Sequence, residues 1–166
     1  MRVRATVLFC VLGLSCWQAT AACSQRALGG TLPEPLRDHV ENDRFQIVTS
    51  IRGLPLGVRD ELERMFRNGL DIAEPGAPFQ ASDVVVDPNL PSRRLVAAGC
   101  SQDHCLVYYE RGGIAHRWLV ALFHWMPSAT RFEFGGLAPG GLKTIEEVRK
   151  AVLSGAIKPA DSADVW

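Results

Sequence analysis

Leu95-Val96-Ala97-Ala98-Gly99-Cys100-Ser101-Gln102-Asp103-His104-Cys105-Leu106-Val107-Tyr108-Tyr109 is the stretch on which the reading of this chain turns. Two apolar runs flank a short polar segment bounded by cysteines. Apolar runs of this length, rich in β-branched and aromatic residues, read as strands. One strand, Arg94 to Gly99, enters the segment and another, Leu106 to Arg111, leaves it. A Cys100–Cys105 disulfide would close the loop between them.

Outward from this hairpin the pattern continues. Gly112-Gly113 supplies the positive φ angles of a tight turn, and His116 to Trp125 follows as a long apolar strand. Arg131 to Phe134 reads as one more strand, with Gly135-Gly136 and Gly140-Gly141 ending the sheet region. Upstream, Phe45 to Ile51 alternates as a strand does, and Val84-Val85-Val86 reads as a short one before the Asp87-Pro88-Asn89 turn. Val58, Leu62, Met65 and Phe66 form one helical stripe within Val58 to Asn68, stopped by Gly69. Thr144-Ile145-Glu146-Glu147 fits a capping box and opens a helix that Gly155 ends. The expected fold is α+β: an antiparallel meander of about five to six strands with an N-terminal and a C-terminal helix packed on it.

The N-terminus reads as an export signal over residues 1–22. Arg2 and Arg4 precede an apolar run from Ala5 to Trp17, short for a bilayer-spanning helix. Two processing readings stand side by side. Ala19-Thr20-Ala21 fits a signal-peptidase site, and Thr20-Ala21-Ala22-Cys23 resembles a bacterial lipobox with Cys23 as the lipidated residue. Residues 23–43, with Gly29-Gly30, Pro33 and Pro35, read as a flexible tether or loosely packed arm, with a weak helical pattern within Leu36 to Glu41. Residues 44–159 make a single domain, and 160–166 a disordered tail. The expected location is the periplasm, with an outer-membrane anchor if Cys23 carries lipid and Ser24 follows it.

Cysteine parity bears on that choice. Of five cysteines, Cys10 and Cys16 lie in the signal, which leaves Cys23, Cys100 and Cys105. If the last two pair, Cys23 is odd, and lipidation would account for it. Free thiols at Cys100 and Cys105 with His104 would instead make part of a zinc site. An oxidising compartment and the missing fourth ligand favour the disulfide. The spacing is not that of a CxxC redox pair.

Charge excludes one class of partner. Without Arg2 and Arg4 the chain keeps 16 basic and 18 acidic residues, a net of about −2 with no basic patch, so nucleic acid is not expected. No catalytic motif of the serine-elbow, His-Glu-x-x-His, Walker or dinucleotide kind occurs. His116 and His124 share a parity on one strand, and Glu110 and Glu133 are placed to meet across the sheet. A hydrolase would need these histidines and a carboxylate in one pocket. The plainer reading is hydrogen-bonded histidines, solvated glutamates, and no metal, cofactor or catalysis.

The order of elements and the C-x4-C loop resemble the inhibitor of vertebrate lysozyme (Ivy) family, over about residues 45 to 157. The family's loop reads Cys-Lys-Pro-His-Asp-Cys. Here it reads Cys100-Ser101-Gln102-Asp103-His104-Cys105, with histidine and aspartate exchanged. The resemblance implies a non-catalytic periplasmic protein that binds a lysozyme-type glycosidase. It implies that the loop, Ser101, Gln102, Asp103 and His104, enters the partner's glycan cleft and that the histidine meets two catalytic carboxyl groups, one protonated and one ionised. An envelope protein that binds some other periplasmic partner is the alternative.

Overall fold

The computed structural model describes residues 27–28, 30–85, 87–160 and 166. The expected signal segment and Cys23 lie outside the described residues. The strands are β1 (Ala27–Leu28), β2 (Gln46–Val48), β3 (Arg93–Cys100), β4 (His104–Arg111), β5 (Arg117–Met126) and β6 (Ala129–Ala138). The helices are α1 (Glu34–Asn42), α2 (Leu56–Phe66) and α3 (Ile145–Leu153). The strands form one sheet in the order β1-β6-β5-β4-β3-β2. Strands β2 to β6 meander antiparallel, and β1 runs parallel to β6. The α+β class and the meander are therefore as the sequence predicts. Among the described residues no helix is long and apolar enough to cross a membrane.

Helices cover both faces of the sheet. Strand β4 is buried from His104 to Glu110, and its side chains alternate between two cores. Cys105, Val107 and Tyr109 join Leu119, Ala121 and Phe123 under α2, through Val58, Leu62 and Phe66. Leu106 and Tyr108 join Val120, Leu122 and Phe134 on the other side, under α3 (Val148, Val152) and Val40 of α1. A strand buried on both faces reads as continuously apolar, which is why Leu106 to Tyr109 shows no alternation.

Four readings change. Much of the expected tether is structured. Leu32 and Val40 are buried, α1 packs on α3, and Arg37 donates to the Leu153 carbonyl at 2.8 Å. From α3, Arg149 donates back to the carbonyls of Val40 and Glu41 at 2.8 and 2.9 Å. Val84 and Val85 form no strand and lie exposed in a loop; Val86 is outside the described residues. The glycines at 135 and 136 do not end β6. A Cβ there would lie 2.3 Å from the Val120 carbonyl oxygen and 2.2 Å from that of Lys158, so glycine permits close backbone approach inside the sheet. Finally, Ala160 and Trp166 are buried, with Trp166 edge-on to Phe132 and its carbonyl oxygen bound by Arg93 and Arg111. Residues 161–165 lie outside the described residues.

Helix α2 ends at Arg67, which takes the left-handed region at φ 65°. Helix α3 begins as the capping box requires. The Thr144 hydroxyl accepts from the Glu147 amide at 3.2 Å. The Glu147 carboxylate accepts from the amides of Lys143 and Thr144 at 2.6 and 3.4 Å. Thr144→Ala should cost about 1 kcal/mol, while Thr144→Ser should stay close to the parent. Urea unfolding of the two variants checks this, and equal midpoints would refute the cap's contribution.

Candidate functional site

The β3–β4 hairpin closes on its cysteines. Cys100 and Cys105 are register partners and are joined by a disulfide with a Cα–Cα distance of 4.1 Å. Only Ser101, Gln102 and Asp103 lie between the strands. The Ser101 amide donates to the His104 carbonyl at 2.7 Å, and the Trp125 amide donates to the Asp103 carbonyl at 2.7 Å. The Ser101 hydroxyl accepts from the His104 amide at 3.1 Å and donates to Asp43 Oδ2 at 3.0 Å. The tip is thus tied to β5 and to the residue that ends α1.

This changes the reading of the loop. His104 begins β4 and is 2% exposed, so its ring is not presented to a partner. Its strand position turns it onto the face shared with Leu106 and Tyr108, under α1. Gln102 is the exposed residue of the tip, with Ser101 and Asp103 partly buried.

Beneath the tip lies a cluster that no sequence spacing announces. His104 pairs with His124 in register, their ring centroids 5.1 Å apart. His39 of α1 lies over His104 with centroids 4.2 Å apart, and its Nδ1 is 3.2 Å from Asp43. His104 Nδ1 is 2.9 Å from Asp103 Oδ1 and 3.8 Å from Asp43 Oδ2. On the other side of the ring, Nε2 is 3.4 Å from Glu133 Oε2.

Glu133 arrives through a β-bulge. Along β5–β6, Leu122 faces Phe134 but Phe123 faces Phe132, which leaves Glu133 as the extra residue. The bulge also explains why Phe132 and Phe134 enter opposite cores. Bulges of this kind re-aim a side chain, and here the redirected group is a carboxylate.

Two sets of side chains bring possible metal-ligating atoms within 4.8 Å of one another: His104, His124 and Glu133, and His39, Asp43, Asp103 and His104. The pairings suggested by strand parity are not formed. His116 precedes β5 and His124 lies near its far end, eight residues on, about 26 Å for extended chain. His116 instead bonds Glu110 at 2.8 Å, stacks on Trp118, and shares Glu110 with Arg94. Glu110 and Glu133 therefore serve separate clusters.

The groups of the tip cluster shift one another's titration. Burial opposes the His104 imidazolium, but attraction to Glu133 and Asp103 outweighs it and raises the pKa. Burial, with Arg131 next, lowers that of His124. Burial also opposes the carboxylate forms of Asp103 and Glu133. His104 nonetheless holds Asp103 below its ordinary value, and His104 with Arg131 does the same for Glu133. Comparison with protein-family models, curated proteins and solved structures finds no match to this chain.

The two histidines have opposite linkage. A raised folded-state pKa stabilises fully below the unfolded value, about 6.5, and that stability is lost as pH rises through the folded pKa. The lowered pKa of His124 acts in reverse, weakening the fold as pH falls below that unfolded value. The depressed carboxylates lose their contribution at still lower pH, as it falls through their folded values. In EDTA-containing buffer, His124→Gln should gain more stability than the parent on acidification from about pH 8 to 5.5, and His104→Gln should gain less. Urea midpoints across that range measure both slopes, and parallel slopes for all three proteins would refute the assignment.

Proposed function

We propose that the protein is an exported, non-catalytic binding protein whose partner-facing surface is the disulfide-closed end of its sheet. The observation that carries this reading is the anchoring of the tip. Closure at the last register pair, together with the bonds to Trp125 and Asp43, holds Ser101, Gln102 and Asp103 in one arrangement. A surface ordered in advance loses less conformational freedom on binding. Beside it lies an open depression of about 690 Å³ bordered by His39, Arg44, Gln102, Asp103 and Pro127, large enough for a side chain or a sugar ring.

A lysozyme-type glycosidase is the partner class favoured by the resemblance of the loop. With His104 buried, the inhibitory groups differ from those of the Ivy pattern. The Gln102 amide donates to an ionised carboxylate, and Asp103 accepts from a protonated one. The same burial favours a second reading, an envelope protein that binds another periplasmic partner through this end. Mass spectrometry of the mature N-terminus tells a lipid anchor at Cys23 from a soluble form.

The test is an inhibition panel of lysozyme-type enzymes with and without reductant. Gln102→Ala, Asp103→Ala and reduction of the disulfide should each weaken inhibition by more than tenfold while circular dichroism stays unchanged. Absence of inhibition by the parent protein across the panel refutes the glycosidase reading. A specific envelope protein captured by the parent but not by Gln102→Ala would then establish the second.

A further inference from the structure

We propose that His104, His124 and Glu133 form a binding site for one divalent transition-metal ion of the zinc class. The site lies directly beneath the hairpin tip and shares Asp103 with it, but its test involves no partner.

Three strands deliver the donors. His104 comes from the start of β4, His124 from its register partner on β5, and Glu133 from the bulge on β6. Their ligating atoms all lie within 4.8 Å of one another. His104 Nε2 and Glu133 Oε2 are 3.4 Å apart. Two ligands each about 2.1 Å from a tetrahedral zinc ion lie about 3.4 Å apart, so this pair already has the spacing of shared coordination.

Glu133 gives the independent sign. Its side chain is 9% exposed, and Oε2 makes no hydrogen bond of ordinary geometry among the described residues, its neighbour being His104 Nε2 at 3.4 Å. A buried carboxylate oxygen held only at that distance is under-satisfied. The companion oxygen is not free: Arg131 holds Oε1 at 2.9 and 2.7 Å. Oε2 is therefore the oxygen turned toward the two imidazoles.

The outer groups are arranged as those of a metal centre are. Asp103 Oδ1 engages His104 Nδ1 at 2.9 Å, which fixes the tautomer that leaves the Nε2 lone pair facing Glu133 and orients the ring. Arg131 orients the carboxylate in the same way. Two imidazoles and one carboxylate suit zinc, copper, nickel or ferrous iron and leave positions for water. The partly exposed His124 gives an ion a route from solvent. Magnesium and calcium, which prefer all-oxygen sites, are not the expected ions.

The competing occupant is a proton on His104, which would make the same pair a salt bridge, and the experiment separates the two. The full chain, stripped with EDTA, is titrated with zinc by calorimetry and with cobalt(II) by visible spectroscopy at pH 7.5. One equivalent of zinc should bind with a Kd of micromolar or tighter, and cobalt should give ligand-field bands that zinc displaces. His124→Ala and Glu133→Gln should each weaken binding by at least tenfold. His116→Ala, which removes a histidine of the other cluster, should leave it unchanged. His124 is partly exposed, so its alanine variant tests the site even if Glu133→Gln misfolds. The proposal is overturned if neither metal binds at one equivalent. It is equally overturned if binding survives loss of His124 and Glu133, or is lost with His39→Ala while His124→Ala retains it. None of these readouts involves a partner, so they stand apart from the inhibition panel.

Discussion

Strand β4 is buried on both faces, and the rest of the molecule depends on its register. A shift of one residue would send Tyr109 and Val107 to the side of α3, and Tyr108 and Leu106 to that of α2. Neither core could absorb the exchange at ordinary packing density. The Cys100–Cys105 bond adds a covalent statement of the same register, since the two residues are direct cross-strand partners. It closes a ring of six residues, whose loop entropy amounts to about 2 kcal/mol. The packing therefore carries the register, and the disulfide holds its end against fraying.

Register also builds the polar cluster. Even-numbered positions of β4 and β5 face α1 and α3, so His104 and His124 meet with no local motif to bring them together. The bulge at Glu133 breaks strict alternation on β6 and sends two successive residues toward that face. Helix α1 then covers the cluster with His39, and Asp43 immediately after the helix takes up the Ser101 hydroxyl. Hydrophobic alternation thus determines where the charged groups go, and one irregularity determines which of them touch.

Much of this was legible in the chain. The hairpin strands, the stripe of α2 and the capping box of α3 are local patterns, and each lies where its residues put it, with differences of a few positions at the ends. Helix α1 was only weakly legible, within Leu36 to Glu41, because Glu34 to Asn42 is mostly polar with two apolar anchors, Leu36 and Val40. Its helicity depends on docking to α3, a contact between residues more than 100 positions apart. The run Val84-Val85 misled in the other direction: strand-forming side chains with no neighbouring strand to pair remain a loop. The cysteine pair was readable because its partners are close in sequence. The association of His104 with Glu133 was not, since it hangs on a bulge that shows no local signature.

The outer strands carry a last consequence. Strand β1 has two residues and β2 three, while the strands between them have eight to ten. The lengths of β3 and β6 that these short strands leave uncovered are partly capped by single bridges, Ala73 to Arg94 and Leu137 to Lys158. These pairings shorten the continuous edge open to a second chain, and unpaired strand edges are what polymerising proteins share. A sheet with two apolar cores and open edges would otherwise be a template for fibres. Segments that look like incidental connections thus shorten the open edge that a neighbouring molecule could pair with.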